Sequence, residues 1–313
     1  MSVKIFDWTP QSIGWALDSL RRGGLVAVPT ETVYGLAADA ANGEAVAGLY
    51  AAKGRPSFNP LIAHVADLEM ALAQGVLSDK ARALAETFWP GPLTIVVKIA
   101  STCTVSDLAR AGLDSIALRM PAHAVALNLL SEFGAPLVAP SANPSGKISP
   151  TTAAHVAADM EDKVDMILNG GTCAAGIEST IIDARGDVPA LLRPGSLEAE
   201  RIASVWPGLL RPALNPDAPQ SPGQLLRHYA PRARLRLNAT VAEDGEALLG
   251  FGNTGTSTLN LSPDGRLEEA AANLFAMLRT LDREYDRIAV APIPVSGLGE
   301  AINDRLTRAA KTA

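Results

Sequence analysis

The segment PTETVYGL, residues 29–36, follows a short apolar run at residues 25–28. Its hydroxyl groups at Thr30, Thr32 and Tyr34 lie at alternate positions, and an extended backbone would direct them to one side. Taken alone, the segment is equally compatible with an ordinary half-buried edge strand. The motifs further along the chain decide whether this segment is such a strand or a functional motif.

Five further segments have a distinctive composition: KGRP at residues 53–56, NPLIAH at 59–64, PSANPSG at 140–146, RHYAP at 227–231 and GLGEAINDR at 297–305. Together with residues 29–36, and in this order, they resemble the YrdC/Sua family of threonylcarbamoyl-AMP synthases. The last two segments are similar to the long, two-domain branch. Each motif is weak by itself, but the ordered set extends over nearly the whole chain and is specific.

Composition narrows the classes of protein. A length of 313 residues allows one large domain or two ordinary ones. The chain is 48% hydrophobic but only 4% aromatic, so its core must consist mostly of Val, Leu, Ile and Ala, and stacking of many bases is disfavoured. The net charge of -6 disfavours broad nucleic-acid affinity but leaves room for a local basic pocket.

The cysteines and the apolar runs bear on redox chemistry and location. Cys103 and Cys173 have neither metal-site spacing nor a disulfide framework, and an isolated thiol is usually a small buried apolar group. Residues 1–10 show no secretory signal, and no apolar run approaches the ~20 residues that span a bilayer. We therefore expect a cytoplasmic protein without membrane contact.

Strand-like and helix-like segments alternate along the first two thirds of the chain. Apolar runs predict strands at residues 25–28, 61–65, 93–99, 115–119, 137–139, 166–168 and 180–183, and Ala-rich spacing predicts helices at 44–53, 68–74, 78–88 and 122–133. Asn42 or Gly43 would open the first helix, and Gly54 followed by Pro56 would close it. The alternation favours an α/β fold. The resemblance implies a twisted open sheet with a large concave cavity.

Residues 207–231 contain six prolines in 25 residues, which excludes a regular helix or a central strand and indicates a semi-extended linker. Runs at residues 234–237, 246–251, 267–282 and 288–291 then predict a small α/β unit that ends in a helix. We therefore predict a YrdC-like catalytic domain at 1–206, a Pro-rich linker or lid at 207–233 and a small C-terminal α/β domain at 234–313.

Lys53 lies at the predicted end of a helix, where a cation before Gly54 is common for structural reasons alone. However, the chain has only seven lysines against twenty arginines, so lysine is not a background choice. A lysine and an arginine two residues apart can neutralise a polyphosphate. In the context of the other motifs, we favour ATP binding by Lys53 and Arg55.

The resemblance implies four contacts to an L-threonine substrate, at Thr32, His64, Arg119 and Ser179. A charge such as Arg119 among apolar neighbours needs a partner, which could be the substrate carboxylate or an internal Asp or Glu. The motif match favours the substrate. His64 could equally be a structural histidine at a strand end, and Ser179 has no visible His-Asp pair that would make it a nucleophile.

The resemblance also implies a larger set of ATP contacts: Lys53, Arg55, Asn59, Ser115, Ser141, Asn143, Ser149, Arg193 and Tyr229. Ser141 and Asn143 follow the predicted strand at 137–139, and open α/β sheets bind ligands at the carboxyl ends of strands. Asn59 and Arg193 could instead belong to structural turns beside prolines. Tyr229 would anchor the linker, cap the nucleotide as a lid closes, or do both.

Neither a GxGxxG nor a GxxxxGK[ST] phosphate loop occurs, and the sequence marks neither a metal site nor a general base. The resemblance implies that L-threonine, bicarbonate or CO2 and ATP give threonylcarbamoyl-AMP and pyrophosphate. Mg2+ would be held through the ATP phosphates and water. The product would pass to a downstream threonylcarbamoyl transferase that modifies tRNA to threonylcarbamoyladenosine, with at most weak tRNA contact here.

Two other functions are compatible with this type of domain. A carbamoyl transferase of hydrogenase maturation would need acylphosphatase-like and zinc-finger segments, and this chain has only two cysteines. A non-catalytic RNA-binding module is disfavoured by the net charge of -6 and by the complete set of motif residues. The sequence leaves open the oligomeric state, the order of substrate binding and the role of the second domain.

Overall fold

The structure, a computed structural model, describes residues 4–212 and 228–311. Its strands are β1 (Ile5–Asp7), β2 (Val26–Val28), β3 (Gly35–Asp39), β4 (Ile62–His64), β5 (Gly75–Val76), β6 (Leu93–Ile99), β7 (Ser115–Arg119), β8 (Leu137–Val138), β9 (Met166–Asn169), β10 (Thr180–Asp183), β11 (Ala190–Arg193), β12 (Arg234–Arg236), β13 (Ala247–Gly250), β14 (Leu259–Asn260) and β15 (Arg287–Val290). Its helices are α1 (Pro10–Arg21), α2 (Gly43–Lys53), α3 (Leu68–Gln74), α4 (Asp79–Phe88), α5 (Ala124–Phe133), α6 (Ala153–Met160), α7 (Ala199–Val205), α8 (Leu267–Glu284) and α9 (Leu298–Ala309).

The first sheet is an open, mixed sheet, which confirms the predicted α/β class. Its strands run in the order β1-β9-β2-β3-β8-β4-β7-β6-β10-β11, and β5 pairs with β6. The core beneath it consists mostly of buried Val, Leu, Ile and Ala side chains, as the low aromatic content predicts. Among the residues that the structure describes, no helix is both long enough and apolar enough to cross a bilayer.

Strand register brings distant polar residues to one edge of this sheet. Parallel pairing of β4 with β7 sets His64 opposite Arg119. Antiparallel pairing of β10 with β11 sets Ile181 opposite Arg193, beside the start of β10 at Thr180. Because these strand ends converge, residues separated by more than a hundred positions meet at one place.

The predicted boundaries of α2 are confirmed by its caps. The Asn42 side chain accepts hydrogen bonds from the backbone N–H groups of Glu44 (3.0 Å) and Ala45 (3.1 Å). Gly54 ends the helix with a left-handed φ of 59°, which glycine adopts without a steric penalty. Lys53 is therefore the last helical residue, as the sequence indicates.

The extended interpretation of residues 29–36 is wrong. Residues 31–33 form a bend, and β3 begins only at Gly35. The Thr30 and Thr32 hydroxyls do lie together, 2.9 Å apart, but the Tyr34 hydroxyl donates to the carbonyl of Gly171 at 2.8 Å. Hydrogen bonding of Thr30 to the backbone of Val33 favours a turn over the extended conformation.

The second sheet has the order β12-β15-β13-β14, and its pairs are all parallel. With α8 and α9 it forms the predicted small α/β unit. The domain limits at 206 and 233 stay predictions, because residues 213–227 of the predicted linker lie outside the described residues.

The two units share an apolar cluster. Val33, Ile148 and Ile177 from the first unit pack in the same buried cluster as Tyr229 and Phe275. A close backbone contact reinforces this: a Cβ added to Gly176 would lie 2.4 Å from the Cα atom of Ala272 in α8. The second unit therefore packs directly against loops of the first unit.

Candidate active site

A cleft opens at the convergent strand ends, between the first sheet and the C-terminal part of the predicted linker at His228 and Tyr229. It contains most of the predicted site residues. Its lining comprises Thr32, Val33, Arg55, Ile62, His64, Arg119, Ala139, Pro140, Ser141, Glu178, Ser179, Arg193, His228 and Tyr229.

Arg119 is held by an internal acid as well as lying in the cleft. Its Nη2 atom donates to Glu31 Oε1 at 2.7 Å and to Thr32 Oγ1 at 3.0 Å, and its Nε atom donates to the carbonyl of Gly91 at 3.4 Å. The salt bridge that was the structural alternative is thus present. A guanidinium fixed in this way is pre-oriented, so the internal pair and a substrate contact are compatible roles.

His64 lies at the end of β4 and is buried. Burial, assisted by the nearby Arg119 charge, lowers the pKa of His64 to about 3. Its Nδ1 atom lies 3.3 Å from the carbonyl oxygen of Ile62. The ring is therefore neutral at physiological pH, and with Nδ1 donating to that carbonyl its Nε2 atom is a hydrogen-bond acceptor.

Ser179 and Arg193 form one unit. The Nε and Nη2 atoms of Arg193 donate to the carbonyl of Ser179 at 3.1 and 2.9 Å, and Nη2 also donates to its hydroxyl at 3.1 Å. The same hydroxyl lies 2.8 Å from that of Thr94. Arg193 is buried at the end of β11, so the surface-turn alternative for this arginine is wrong.

Arg55 is a second buried guanidinium of the cleft. It donates to the carbonyls of Asn59 (3.3 Å) and Pro60 (3.0 Å), and burial lowers its pKa to about 10, with Arg193 acting in the same direction. Asn59 is fully buried, yet neither its amide nitrogen nor its amide oxygen has a hydrogen-bond partner among the described residues. Unsatisfied groups of this kind are costly in a protein interior, but Asn59 does not line the cleft, and its ATP contact stays a prediction.

Lys53 braces the loop after β8 from beneath. Its Nζ atom donates to the carbonyls of Ser141 and of Asn143, the latter at 2.5 Å. Burial lowers the pKa of Lys53 well below its usual value, with Arg55 acting in the same direction. The structure thus gives Lys53 a loop-supporting contact, and direct contact with ATP stays a prediction.

Tyr229 joins the cleft to the second unit. It is buried with a left-handed φ of 63°, and its ring stacks on Phe275 with centroids 5.6 Å apart. Its hydroxyl has no hydrogen-bond partner in the described part of the chain. The anchoring role is therefore observed, and capping of the nucleotide stays a prediction.

Five predicted ATP residues are absent from the cleft lining: Lys53, Asn59, Ser115, Asn143 and Ser149. Ser115 begins β7, at the opposite end from Arg119, so the two Cα atoms are roughly 13 Å apart at ~3.3 Å per residue. Ser149 is buried and donates to Glu178 Oε1 at 2.5 Å. The structure brings neither hydroxyl to the cleft surface, and their ATP contacts stay predictions.

Sequence reasoning missed two cleft residues, Glu178 and His228. Glu178 adjoins the predicted site residue Ser179, and His228 adjoins the predicted site residue Tyr229. The motifs were therefore recognised, but no role was assigned to the carboxylate or the imidazole. Burial lowers the pKa of His228 to about 3, and its Nδ1 atom has no partner among the described residues. Glu178 supplies the cleft with a carboxylate.

The cysteines take no part in this site. Cys173 is buried in the main core, and burial raises the pKa of its thiol to about 12. Neither cysteine forms a disulfide. Within residues 4–212 and 228–311 there is no group of three or more His, Cys, Asp or Glu side chains placed to hold a metal ion.

Comparison with known proteins agrees with the fold. Residues 18–195 match the Sua5/YciO/YrdC family profile, described as "Telomere recombination", and residues 197–311 match the profile of the threonylcarbamoyl-AMP synthase C-terminal domain. The chain therefore belongs to the Sua5/YciO/YrdC family. Within that family it is an enzyme of the two-domain, threonylcarbamoyl-AMP synthase branch, which confirms the resemblance recognised in the sequence.

Individual relatives extend over the full length of the chain. The threonylcarbamoyl-AMP synthases of Pyrococcus abyssi and Bacillus subtilis are each 40% identical to it, over 98% and 95% of this chain and 95% and 92% of their own. The crystal structure of P. abyssi Sua5 in complex with L-threonine has a TM-score of 0.90 at 37% identity. The superposition covers 99% of this chain and 98% of that protein.

Proposed function

We propose that the cleft binds ATP and L-threonine together, and that the enzyme converts them with bicarbonate or CO2 into threonylcarbamoyl-AMP and pyrophosphate. The product would supply threonylcarbamoyladenosine modification of tRNA in the cytoplasm. The solved relative with bound L-threonine supports the amino-acid substrate. The names of the full-length relatives support the product.

The observation that carries this proposal is the convergence of buried cations in one cleft. Arg55, Arg119 and Arg193 all line it, and Lys53 lies beneath its Ser141 loop. Burial lowers the pKa values of Arg55, Arg193 and Lys53, so their charges are less favourable in the cleft than in water. A polyphosphate and a carboxylate would supply the missing counter-charge.

The chemistry requires an unprotonated threonine amine and an in-line displacement at the α-phosphorus. The amine attacks CO2 with loss of one proton, or bicarbonate with loss of water, to form a carbamate, and a carbamate oxygen then attacks the α-phosphorus as pyrophosphate leaves. Arg119 would hold the threonine carboxylate, and Arg55 and Arg193 would neutralise the charge that develops on the phosphates. His64, neutral in the cleft, would accept a hydrogen bond from the amine.

Mg2+ would be held by the phosphates and water, because the cleft carboxylates are engaged by arginines. Glu31 pairs with Arg119 at 2.7 Å, and Glu178 pairs with Arg305 at 2.8 Å. Releasing either acid to a metal would leave a buried arginine unpaired, which is costly.

The decisive experiment measures pyrophosphate release together with mass-spectrometric detection of threonylcarbamoyl-AMP. We expect product formation to require ATP, L-threonine and bicarbonate, each tested by omission. Release of pyrophosphate at an unchanged rate without threonine would contradict the proposal. Serine as a matched control should react more slowly, because it lacks one methyl group that the cleft can contact.

A further inference from the structure

Arg305 belongs to α9 of the second unit, but it reaches into the loops behind the cleft. Its Nε atom donates to Glu178 Oε2 at 2.8 Å, and its Nη1 atom donates to the carbonyl of Pro194 at 2.9 Å. Its guanidinium carbon lies 5.1 Å from the ring centre of Tyr229. One side chain thus contacts a cleft carboxylate, the residue after Arg193 and the tyrosine that lines the cleft.

The Arg305–Glu178 pair is buried, and each partner favours the charged form of the other. The two side chains are only 1% and 8% exposed. Burial opposes the charge on Arg305, but Tyr229, Glu178 and Asp304 outweigh it, so its pKa is raised. Burial likewise acts to raise the pKa of Glu178, but Arg305 and Arg193 outweigh it and the net pKa is lowered.

A carboxylate in a cleft of cations competes with an anionic ligand. Glu178 interacts electrostatically with both Arg305 and Arg193, and the two arginines lie on opposite units. If Arg305 were absent, Arg193 would be left to balance the Glu178 charge, and the carboxylate would repel the phosphates. A buried charge whose partner is removed is strongly unfavourable, so the remaining arginine would be drawn into this role.

We propose that Arg305 is a positioning residue for nucleotide binding: it engages Glu178, so that Arg193 stays available to the phosphates, and it supports the Tyr229 ring. The proposal rests on the nucleotide site proposed above. It gives the second unit a specific electrostatic task at the cleft, in addition to packing. The Nη2 atom of Arg305 has no hydrogen-bond partner among the described residues, so this guanidinium keeps an unused donor beside the cleft.

Calorimetric titration of ATP and of threonine tests this with Arg305→Met, Glu178→Gln and the double variant. We expect Arg305→Met to raise the ATP Kd at least about tenfold, the scale of one charge-assisted contact, and the threonine Kd by less than about threefold. In the double variant the competing charge is gone, so the ATP Kd should return to within about threefold of that of Glu178→Gln. A merely structural role predicts no such rescue.

Glu300→Gln is the matched control, because Glu300 lies on the same helix α9 and pairs with Arg211 outside the cleft lining. It should change the melting temperature only slightly and leave the ATP Kd unchanged. An ATP Kd raised as much as by Arg305→Met would assign the effect to docking of the units and overturn the proposal. So would an Arg305→Met variant within twofold of wild type, or a double variant as weak as Arg305→Met.

If Arg305→Met does not fold, Arg305→Gln replaces it, since glutamine keeps hydrogen-bonding groups but not the charge that engages Glu178. It should weaken ATP binding, Glu178→Gln should restore it, and absence of either effect overturns the proposal. Product formation by the wild-type protein is measured separately. Its failure would remove the proposed reaction, whereas the calorimetric comparison judges Arg305 on ATP binding alone.

Discussion

Arg119→Lys is the substitution that best separates threonine binding from ATP binding. Lysine keeps the positive charge in a pocket where the arginine is only 5% exposed, but it loses the planar fork that binds a carboxylate through two parallel hydrogen bonds. The short Nη2 contacts to Glu31 and Thr32 show that the guanidinium already has a fixed orientation. Because Nη2 and Nε also hold Glu31, Thr32 and Gly91, lysine loses these internal contacts together with the fork offered to the ligand, and the effect on the fold is read from the melting temperature.

The expected magnitude follows from losing one of two charge-assisted hydrogen bonds. Such a bond is worth about 1.5–3 kcal/mol, which corresponds to roughly a tenfold to hundredfold rise in the threonine KM. The ATP Kd, measured by calorimetry without threonine, should change by less than about threefold. Arg55→Lys is the matched comparison and should show the opposite selectivity, because Arg55 is assigned to ATP and donates to the carbonyls of Asn59 and Pro60.

Glu31→Gln completes the test, since it weakens the anchor of Arg119 without touching the guanidinium. We expect a smaller rise in the threonine KM than for Arg119→Lys, with the melting temperature recorded for each variant. Equal losses of threonine and ATP affinity in Arg119→Lys would refute the carboxylate assignment. Arg119 would then be an internal ion-pair residue only.

Three further changes test other parts of the site. Lys53→Met should destabilise the fold by about 1.5–3 kcal/mol for each lost contact to the Ser141 loop, less the burial cost of the amine that the substitution relieves, and it should weaken ATP binding. Denaturation measures the stability and calorimetry the ATP affinity, and an unchanged ATP affinity would leave Lys53 a structural role. The pKa values of His64 and His228 are lowered from 6.5 to about 3, so the unfolded state binds more protons than the folded state between these pH values. The free energy of unfolding should therefore fall as pH drops below 6.5, by about 1.4 kcal/mol per pH unit for each histidine. Urea denaturation of His228→Asn should show a smaller slope with pH, and an unchanged slope would contradict the assignment. Tyr229→Phe should keep the stacked ring and the stability, whereas Tyr229→Ala should impair ATP binding; equal activity of both variants would limit Tyr229 to anchoring.

Local signals in the sequence were sufficient for many elements. The strands Leu93–Ile99, Ser115–Arg119 and Thr180–Asp183 and the helix Leu68–Gln74 have the predicted bounds. Apolar runs and caps are encoded by neighbouring residues, so they can be read without knowledge of the fold. The strand Gly35–Asp39 was missed because hydroxyl spacing suggested one continuous extended segment, whereas Thr30 hydrogen bonds impose a bend before it.

The arrangement of the site depends on long-range pairing, which periodicity does not reveal. No local pattern predicts that His64 lies opposite Arg119, or that Lys53 donates to the loop carbonyls some ninety residues away. The motif resemblance supplied the residues, but it did not supply their partners. Arg55 lies in the cleft lining, whereas Ser149 lies outside it and donates a hydrogen bond to Glu178. Only the partners of the two residues distinguish these cases.

The apolar cluster shared by the two sheets has a consequence for folding. A chain cut within residues 213–227 would leave Ile148 and Ile177 exposed to water on one fragment and Phe275 on the other. Each fragment would then bury less apolar surface than the intact protein, by tens of cal/mol for every Å² uncovered. The two fragments should therefore reassociate when mixed, and the intact protein should melt in a single cooperative heat-absorption peak despite having two sheets.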